Sequence, residues 1–241
     1  MASLEQQRKL LSGSAPAPLI ELEARLIECR LCPRLVDWRE EVAVTKRASY
    51  ADDEYWGRPV PGFGDPDARI VVVGLAQAAH GANRTGRMFT GDRSGEWLYR
   101  ALHRAGLASQ PESFDRSDGL TLADTWITSP VKCAPPVNKP TPDERDNCAP
   151  WFDEELRLLT NVSVFVVLGQ YGYQALWSHL RRIDVALSSP RPKFSHGLSI
   201  QLDELTILAS YHVSQQNTFT GRLTEEMLDD VFARAVGCLP S

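Results

Sequence analysis

Residues 70–75 read IVVVGL, an apolar run that leads directly into a glycine-rich loop. Three more short apolar runs lie at 126–128 (WIT), 162–168 (VSVFVVL) and 205–209 (LTILA). Runs of this length, rich in β-branched residues, are typical of strands that are buried on both faces of a sheet. The sequence therefore predicts four strands in one core sheet.

Helical patterns follow these runs. The expected helices extend from Ser94 to Ala105, from Thr141 through Pro150, from Gly169 to Trp177 and from Thr224 to Gly237. Ser94 and Thr141 are suitable N-caps, and Pro150 is expected to kink or split the second helix. Strands that alternate with helices predict an α/β fold, a three-layer αβα sandwich with a central four-stranded, mainly parallel sheet.

Composition and charge restrict the class of protein. The chain has 241 residues, 43% of them hydrophobic, which is enough for one large core. We expect a flexible tail over residues 1–18, which ends in SGSAPAP, and a single domain over residues 19–241. With no run of 18 apolar residues and no apolar N-terminal segment, we expect a cytoplasmic protein that does not interact with membranes. We also expect it to be a monomer. A net charge of -5 argues against coating DNA through bulk charge.

Four of the five cysteines fall into two pairs. Cys29 and Cys32 form a CxxC motif, and Cys133 and Cys148 flank the start of the second predicted helix. Two such pairs can supply a four-sulfur metal site, whereas a disulfide is disfavoured in a cytosolic chain. Four cysteines suit both zinc and an iron–sulfur cluster, and the wide spacing of the second pair favours a cluster pocket. Cys238 is expected to be an ordinary side chain.

Four unusual loops follow the predicted strands, at 74–92, 132–140, 169–170 and 212–222. Because the carboxyl ends of parallel strands share one edge of a sheet, we expect these loops to meet at a ligand site. The first loop is dense in glycine and other small residues, which allows backbone amides to approach a ligand. It matches neither a Walker A motif nor GxGxxG, which argues against a nucleotide cofactor.

Two of these loops contain side chains suited to a reaction. Phe89 stands in a polar, glycine-rich turn, where its ring either stacks on a planar ligand or anchors the loop to the core. His212 follows the fourth strand, where it can donate a hydrogen bond to charge that develops on a leaving group. The polar segment after it, with Phe219 and Arg222, is suited to wedging into a base stack and holding a phosphate.

Four segments together resemble the uracil-DNA glycosylase superfamily. They are CRLCPRL (29–35), PVPGFGDPDARIVVVGLAQAAHGANRTGRMFTGD (59–92), CAPPVNKPTP (133–142) and SYHVSQQNTFTGRLT (210–224). The segments are most similar to family 5, the type-b enzymes with an iron–sulfur cluster. The resemblance spans about residues 25–236, which is most of the chain.

The resemblance implies specific roles for residues of this chain. The implied catalytic residues are Asp92 and His212, the substrate-binding residues are Ala76, Ala78, Phe89 and Asn138, and the DNA-binding residues are Arg84, Arg87, Gln215, Asn217 and Arg222. The implied cofactor is a [4Fe-4S] cluster on Cys29, Cys32, Cys133 and Cys148. Gln77 departs from the family pattern, which usually has proline there, so we expect a difference in the backbone near Ala78 and in the range of bases accepted.

The implied function is excision of uracil and other deaminated bases, including hypoxanthine, from single- or double-stranded DNA. No lysine stands at a motif position suited to attack the sugar, so we expect base release without strand cleavage. A non-catalytic DNA-binding module with a four-cysteine metal site is the alternative, since such a module would share the cysteines and the basic loops. It would not depend on Asp92 or His212.

Overall fold

A single sheet of six strands forms the centre of the protein, in the order β1-β3-β2-β4-β6-β5. The computed structural model describes residues 17–239. The strands are β1 (Phe63–Gly64), β2 (Ile70–Val73), β3 (Thr125–Thr128), β4 (Val164–Leu168), β5 (Ser199–Leu202) and β6 (Leu205–Ser210). The inner four strands, β3, β2, β4 and β6, are parallel, which confirms the predicted parallel sheet. The prediction missed the two antiparallel edge strands, β1 and β5.

Eight helices surround this sheet in the described part of the chain. They are α1 (Ala17–Leu26), α2 (Pro33–Thr45), α3 (Ala82–Thr85), α4 (Arg93–Arg104), α5 (Pro142–Leu158), α6 (Gln170–Arg182), α7 (Gln215–Phe219) and α8 (Glu225–Gly237). Two short 3-10 turns, Ala48–Tyr50 and Pro136–Asn138, lie in the connecting segments.

The two faces of the sheet bury separate cores, as an αβα sandwich requires. Along β2, Ile70 and Val72 pack in the core that contains residues of α4 and α8. Val71 and Val73 belong to the second core, formed with α1, α5 and α6. All four side chains are fully buried, because successive residues of a strand point to opposite faces and both faces are covered. The predicted three-layer α/β architecture is therefore confirmed.

The helix boundaries correct the predicted cap of α4 and show that Pro150 does not split α5. Asp92, not Ser94, caps α4, since its carboxylate accepts a hydrogen bond from the Gly95 amide at 2.9 Å. The capping box at Thr141 is present, and α5 continues past Pro150 without being split. Pro150 stands at the centre of the helix, where a proline removes one backbone donor, and α5 tolerates that loss.

The predicted tail over residues 1–18 lies outside the described residues, except for Ala17 and Pro18, which begin α1. No helix within residues 17–239 combines the length and apolar character needed to cross a bilayer.

Candidate active site

A cavity of about 730 Å3 opens at the carboxyl edge of the parallel strands, where the loops after β2, β3 and β6 meet. The predicted site residues that line it are Ala76, Ala78, Phe89, Asp92, Asn138, His212 and Gln215. Its volume is in the range usual for a small-molecule site. The structure therefore brings the proposed carboxylate and imidazole to one pocket, as the sheet topology predicts.

Asp92 lies at the N-terminus of α4 and presents its carboxylate to the cavity. Burial raises the pKa of this carboxyl, while hydrogen bonds from the Gly95 and Ser94 amides oppose the rise. Those amides carry the positive end of the helix dipole, which stabilises a carboxylate. Asp92 is thus held in one position by backbone donors, and one of its oxygens remains close to the loop that contains Gly81.

Gly81 makes room for this carboxylate. A Cβ atom at this position would lie 2.1 Å from Oδ2 of Asp92, so only glycine permits the approach. Arg84, one turn further along the loop, donates to the carbonyl oxygens of His80 and Gly91, each at 2.9 Å. The loop therefore surrounds Asp92 on a fixed path.

His212 enters the cavity two residues after the end of β6. Burial lowers the pKa of its imidazole from 6.5 to about 4, so the ring is neutral at pH 7 and has one N–H donor. The Asn217 side chain donates to the His212 carbonyl oxygen at 2.8 Å, which fixes the turn. Gly169, with φ of +90°, lies next to the histidine. A Cβ atom added to this glycine would be 3.1 Å from the Cβ of His212.

Phe89 lies between the cavity and the core. Its ring is buried in the core that contains α4, and its centroid is 6.3 Å from that of His212, with 38° between the planes. The backbone at Phe89 has φ of +50°, and Tyr99 donates to the neighbouring Met88 carbonyl oxygen at 2.7 Å. The ring both anchors the loop to the core and lines the cavity, and its stacking on a planar ligand stays a prediction.

Gln77 points away from the cavity mouth, into the protein. Its amide donates to the Ser129 hydroxyl at 2.8 Å and is 3.1 Å from the Met88 sulfur. These contacts join the loop after β2 to the segment after β3. These side-chain bonds of Gln77 help to fix the backbone that leads to Ala78.

Two of the predicted DNA-binding arginines are internal. Arg87 is only 4% exposed and donates to both carboxylate oxygens of Asp118, at 2.8 and 2.6 Å. Arg84 is paired with Asp53 at 2.6 Å, and its side chain is 12% exposed. Because these guanidinium groups are enclosed and already bonded, we correct the assignment: both arginines brace the loop instead of contacting phosphates.

The other predicted DNA-binding residues lie around His212. Gln215 is exposed and lines the cavity, whereas Asn217 braces the His212 turn and lies outside the lining. Arg222 is exposed, with its guanidinium 4.4 Å from the centroid of the Tyr211 ring. These positions leave Gln215 and Arg222 accessible to a strand of DNA.

The structure also brings residues to the cavity that the sequence did not single out. They are Arg47, Tyr50, His80, Val137 and Lys139. Lys139 stands next to Asn138 in the CAPPVNKPTP segment, so the adjacent motif was the available signal. Arg47 and Tyr50 come from the connection between α2 and β1, and nothing local in the sequence distinguishes that segment.

The four paired cysteines line one small cavity between α2, α5 and the segment that follows β3. All are free thiols, and the pKa of Cys133 rises to about 11 and that of Cys148 to about 12 because both are buried. Three of the sulfurs accept from nitrogen donors of Arg39, Lys132 and Asn147. Within residues 17–239, no three Cys, His, Asp or Glu side chains form a group arranged to hold a metal ion.

Arg39 stands against this cavity with only 1% exposure. Its Nη1 donates to the Cys133 sulfur at 2.9 Å and its Nη2 to the Cys29 carbonyl oxygen at 3.1 Å. The nearest carboxylate paired with it, Glu40, is 3.9 Å away, and Nε has no hydrogen-bond partner among the described residues. Burying a guanidinium away from negative charge is costly, so the position of Arg39 suits a site whose sulfurs become thiolates when they bind a metal.

Comparison with known proteins identifies the family. A sequence model described as "Uracil DNA glycosylase superfamily" matches residues 61–235, a range that includes all six strands of the sheet. The chain belongs to the uracil DNA glycosylase superfamily. Within this superfamily it is 53% identical over 227 residues to the type-5 uracil-DNA glycosylase of Mycobacterium tuberculosis (strain CDC 1551 / Oshkosh), an alignment that covers 93% of this chain and 83% of that protein.

Two other superfamily members extend the comparison. The type-5 uracil-DNA glycosylase of Thermus thermophilus is 54% identical, with coverage of 87% of this chain and 93% of that protein. The type-4 uracil-DNA glycosylase of Thermotoga maritima is 34% identical over 46% of this chain and 50% of its own length. The alignments with the two type-5 relatives thus cover most of this chain, whereas the alignment with the type-4 relative covers about half of it.

Proposed function

We propose that the chain hydrolyses the N-glycosidic bond between uracil and deoxyribose in DNA and leaves an abasic site for base excision repair. Other deaminated bases, including hypoxanthine, are further substrates in this proposal. The observation that carries it is the meeting of Asp92 and His212 on the walls of one cavity, in a chain that resembles type-5 uracil-DNA glycosylases over most of its length.

The reaction requires the target nucleotide to leave the helix, because the glycosidic bond is inaccessible within stacked bases. The cavity accepts the extruded base next to Phe89, whose ring replaces part of the lost stacking, a contribution of about 1–3 kcal/mol. Asn138 supplies an amide that both donates to and accepts from the pairing edge of a base. We propose that double-stranded and single-stranded DNA both reach the cavity and that the protein acts as a monomer.

His212 acts on the leaving base. Its neutral imidazole donates its one N–H to a carbonyl oxygen of the base, where negative charge accumulates as the bond to C1′ stretches. Removing one such donor typically lowers the rate on the order of 10²–10³-fold. A neutral donor suits this role, since the ring is only partly exposed and burial disfavours its protonated form.

Asp92 acts on the sugar and on water. Its carboxylate stabilises the positive charge that develops at C1′ and orients a water molecule for attack. The C1′–N bond breaks with its electron pair passing to the base, and the water oxygen forms the new bond to C1′. One water proton passes to Asp92, which then releases it to solvent, and the anionic base takes up a proton from solvent. No strand is cleaved in this sequence, so the proposed activity is monofunctional.

The cysteine cavity is the proposed site of a [4Fe-4S] cluster, held by Cys29, Cys32, Cys133 and Cys148. The soft donor set, the nitrogen donors to three of the sulfurs and the buried guanidinium of Arg39 all fit a thiolate-bound metal group. When bound, the group supplies a cross-link between the segment before α2 and the sheet. The proposed hydrolysis transfers no electrons, so this role is structural.

A direct experiment is excision of uracil from an oligonucleotide, followed by alkaline cleavage of abasic sites. Asp92→Asn is expected to lower the excision rate by on the order of 10²–10⁴. Asparagine keeps a side-chain oxygen that can cap α4. It also removes a carboxylate whose pKa is raised because burial disfavours its charged form. This variant is therefore expected to fold as stably as the wild type. Glu96→Gln, an exposed change in the first turn of α4, is the matched control.

The outcomes separate the two functional hypotheses. Excision by the wild type that Asp92→Asn abolishes supports the glycosylase. A protein that binds the oligonucleotide without releasing uracil, and whose binding is indifferent to Asp92 and His212, is instead the non-catalytic DNA-binding module. Visible iron–sulfur absorbance supports the cluster, whereas zinc in the purified protein contradicts it.

A further inference from the structure

The turn that contains Asn138 has an unusual backbone. Val137 and Asn138 are consecutive residues in the left-handed region, with φ of 49° and 56°. Asparagine enters this region readily, but valine seldom does, because its branched Cβ collides with the following peptide. The Val137 side chain is also 78% exposed, so burial of its methyl groups does not compensate for the strain.

Rigid neighbours hold the strained turn in place. The Asn138 amide donates to the Pro135 carbonyl oxygen and the Lys139 amide to that of Pro136, each at 3.1 Å. Arg34 donates to the Lys139 carbonyl oxygen at 3.1 Å and ties the turn to α2. A residue that keeps a costly conformation within so constrained a segment indicates a function for its side chain.

Val137 lies at the mouth of the active-site cavity, on the β3 side. The other side of the mouth is formed by Gln215 and Gln216, which follow β6. Because β2 and β4 lie between β3 and β6 in the sheet, the two sides of the mouth come from loops that follow non-adjacent strands. The mouth thus has a polar side at α7 and, across the cavity, one exposed aliphatic side chain.

We propose that Val137 is a wedge that enters the base stack where the target nucleotide leaves the duplex. The proposal rests on the glycosylase function given above. An apolar side chain that replaces a lost stacking neighbour keeps the vacated position from closing, and a rigid turn presents it without further loss of chain entropy. Single-stranded DNA has no opposing strand to restack, so the contribution of the wedge is specific to duplex substrates.

The test compares Val137→Asn with the wild type on uracil in duplex and in single-stranded oligonucleotides of the same sequence. Asparagine tolerates positive φ and lacks the apolar surface, so Tm is expected to rise while the ratio of duplex to single-strand kcat/KM falls about tenfold, the scale of one lost wedge contact. Val137→Gly, which also relieves the strain, is expected to lower the ratio in the same way. Val44→Asn changes another valine, 81% exposed on α2 and outside the cavity lining, and is the control.

Each outcome decides between the hypotheses. An unchanged ratio in both Val137 variants, or equal losses on the two substrates, overturns the wedge while leaving the glycosylase intact. No excision by the wild type from either substrate overturns the glycosylase itself. A fluorescent base analogue placed opposite the uracil adds a direct reading, since its unstacking on binding is expected to be weaker with Val137→Asn than with Val44→Asn.

Discussion

Gly81 and Asp92 are so close that no other residue type fits at position 81. The ideal Cβ position of Gly81 lies 2.1 Å from Oδ2 of Asp92 and 2.9 Å from its Cγ. The carboxylate is also bonded from the other side by the Gly95 amide at 2.9 Å. Asp92 therefore sits between a loop backbone and a helix terminus, and its position depends on both.

Gly81→Ala is expected to lower the excision rate by on the order of 10², because displacing a reacting group by about 1 Å has an effect of that size. The added methyl group would push Oδ2 out of its place, since the helix amide holds the other oxygen. The measurement is single-turnover excision of uracil, with the far-ultraviolet circular dichroism spectrum as a check of folding.

Gly237→Ala is the matched control for this change. Gly237 ends α8, its φ is not positive, and a Cβ there meets no atom within 4 Å. Activity of Gly81→Ala equal to that of Gly237→Ala would contradict the positional requirement at Asp92.

His212 is expected to make stability depend on pH. Burial lowers its pKa from 6.5 to about 4 in the folded protein, so between these values the unfolded chain binds a proton that the folded chain excludes. The free energy of unfolding therefore falls as pH drops from 6.5 towards 4, by on the order of 2 kcal/mol for this group. His212→Gln is expected to lose less stability than the wild type between pH 7 and pH 5 in urea denaturation.

The exposed residue His103 provides the comparison, through His103→Gln. Both variants keep the other histidines, so their difference isolates His212. Equal pH dependence of His212→Gln and His103→Gln would count against a buried, neutral His212.

The parallel strands could be predicted from sequence because each is a continuous apolar run that both faces of the sheet bury. The edge strands could not. Phe63–Gly64 is too short for a pattern, and Ser199–Leu202 has four residues that alternate between exposed and partly buried positions, so it is not an apolar run. The cap of α4 was misplaced because Asp92 and Ser94 are both good N-caps, and only the chain path near Gly81 decides between them.

The site was predictable where motifs are contiguous in sequence and unpredictable where partners are distant. Asp92, Asn138 and His212 stand within recognisable segments. The burial of Arg87 depends on Asp118, which is 31 residues away, so local sequence suggests a basic surface where the fold forms an internal ion pair. The contact between Arg39 and Cys133 spans 94 residues and is equally invisible to local patterns.

Arg39 is expected to be required for the metal group. Arg39→Gln removes the buried positive charge next to Cys133 while leaving an amide that can donate one hydrogen bond. Because thiolates in a buried cavity need that charge, we expect lower metal content, weaker visible absorbance and a lower Tm. Loss of the cross-link over about 100 residues corresponds to roughly 4–5 kcal/mol by analogy with a disulfide.

The control is Arg58→Gln, which removes a half-exposed arginine whose partner is the exposed Glu28. Metal analysis and absorbance of both variants, purified in parallel, give the answer. Full metal occupancy in Arg39→Gln would show that this guanidinium is not the counter-charge of the site.

Lys139 tests whether the activity is monofunctional. It lines the active-site cavity, so it is the lysine whose role as a nucleophile needs a test. If it attacked C1′, borohydride would trap a covalent protein–DNA adduct through the imine. We expect excision of uracil without a trapped adduct, and similar yields of abasic sites from the wild type and Lys139→Gln. An adduct that forms with the wild type and disappears with Lys139→Gln would instead make this lysine a nucleophile and the enzyme bifunctional. The proposed mechanism requires water oriented by Asp92 as the attacking group. If Lys139 instead only contacts a phosphate, its role is in DNA binding that weakens as the salt concentration rises.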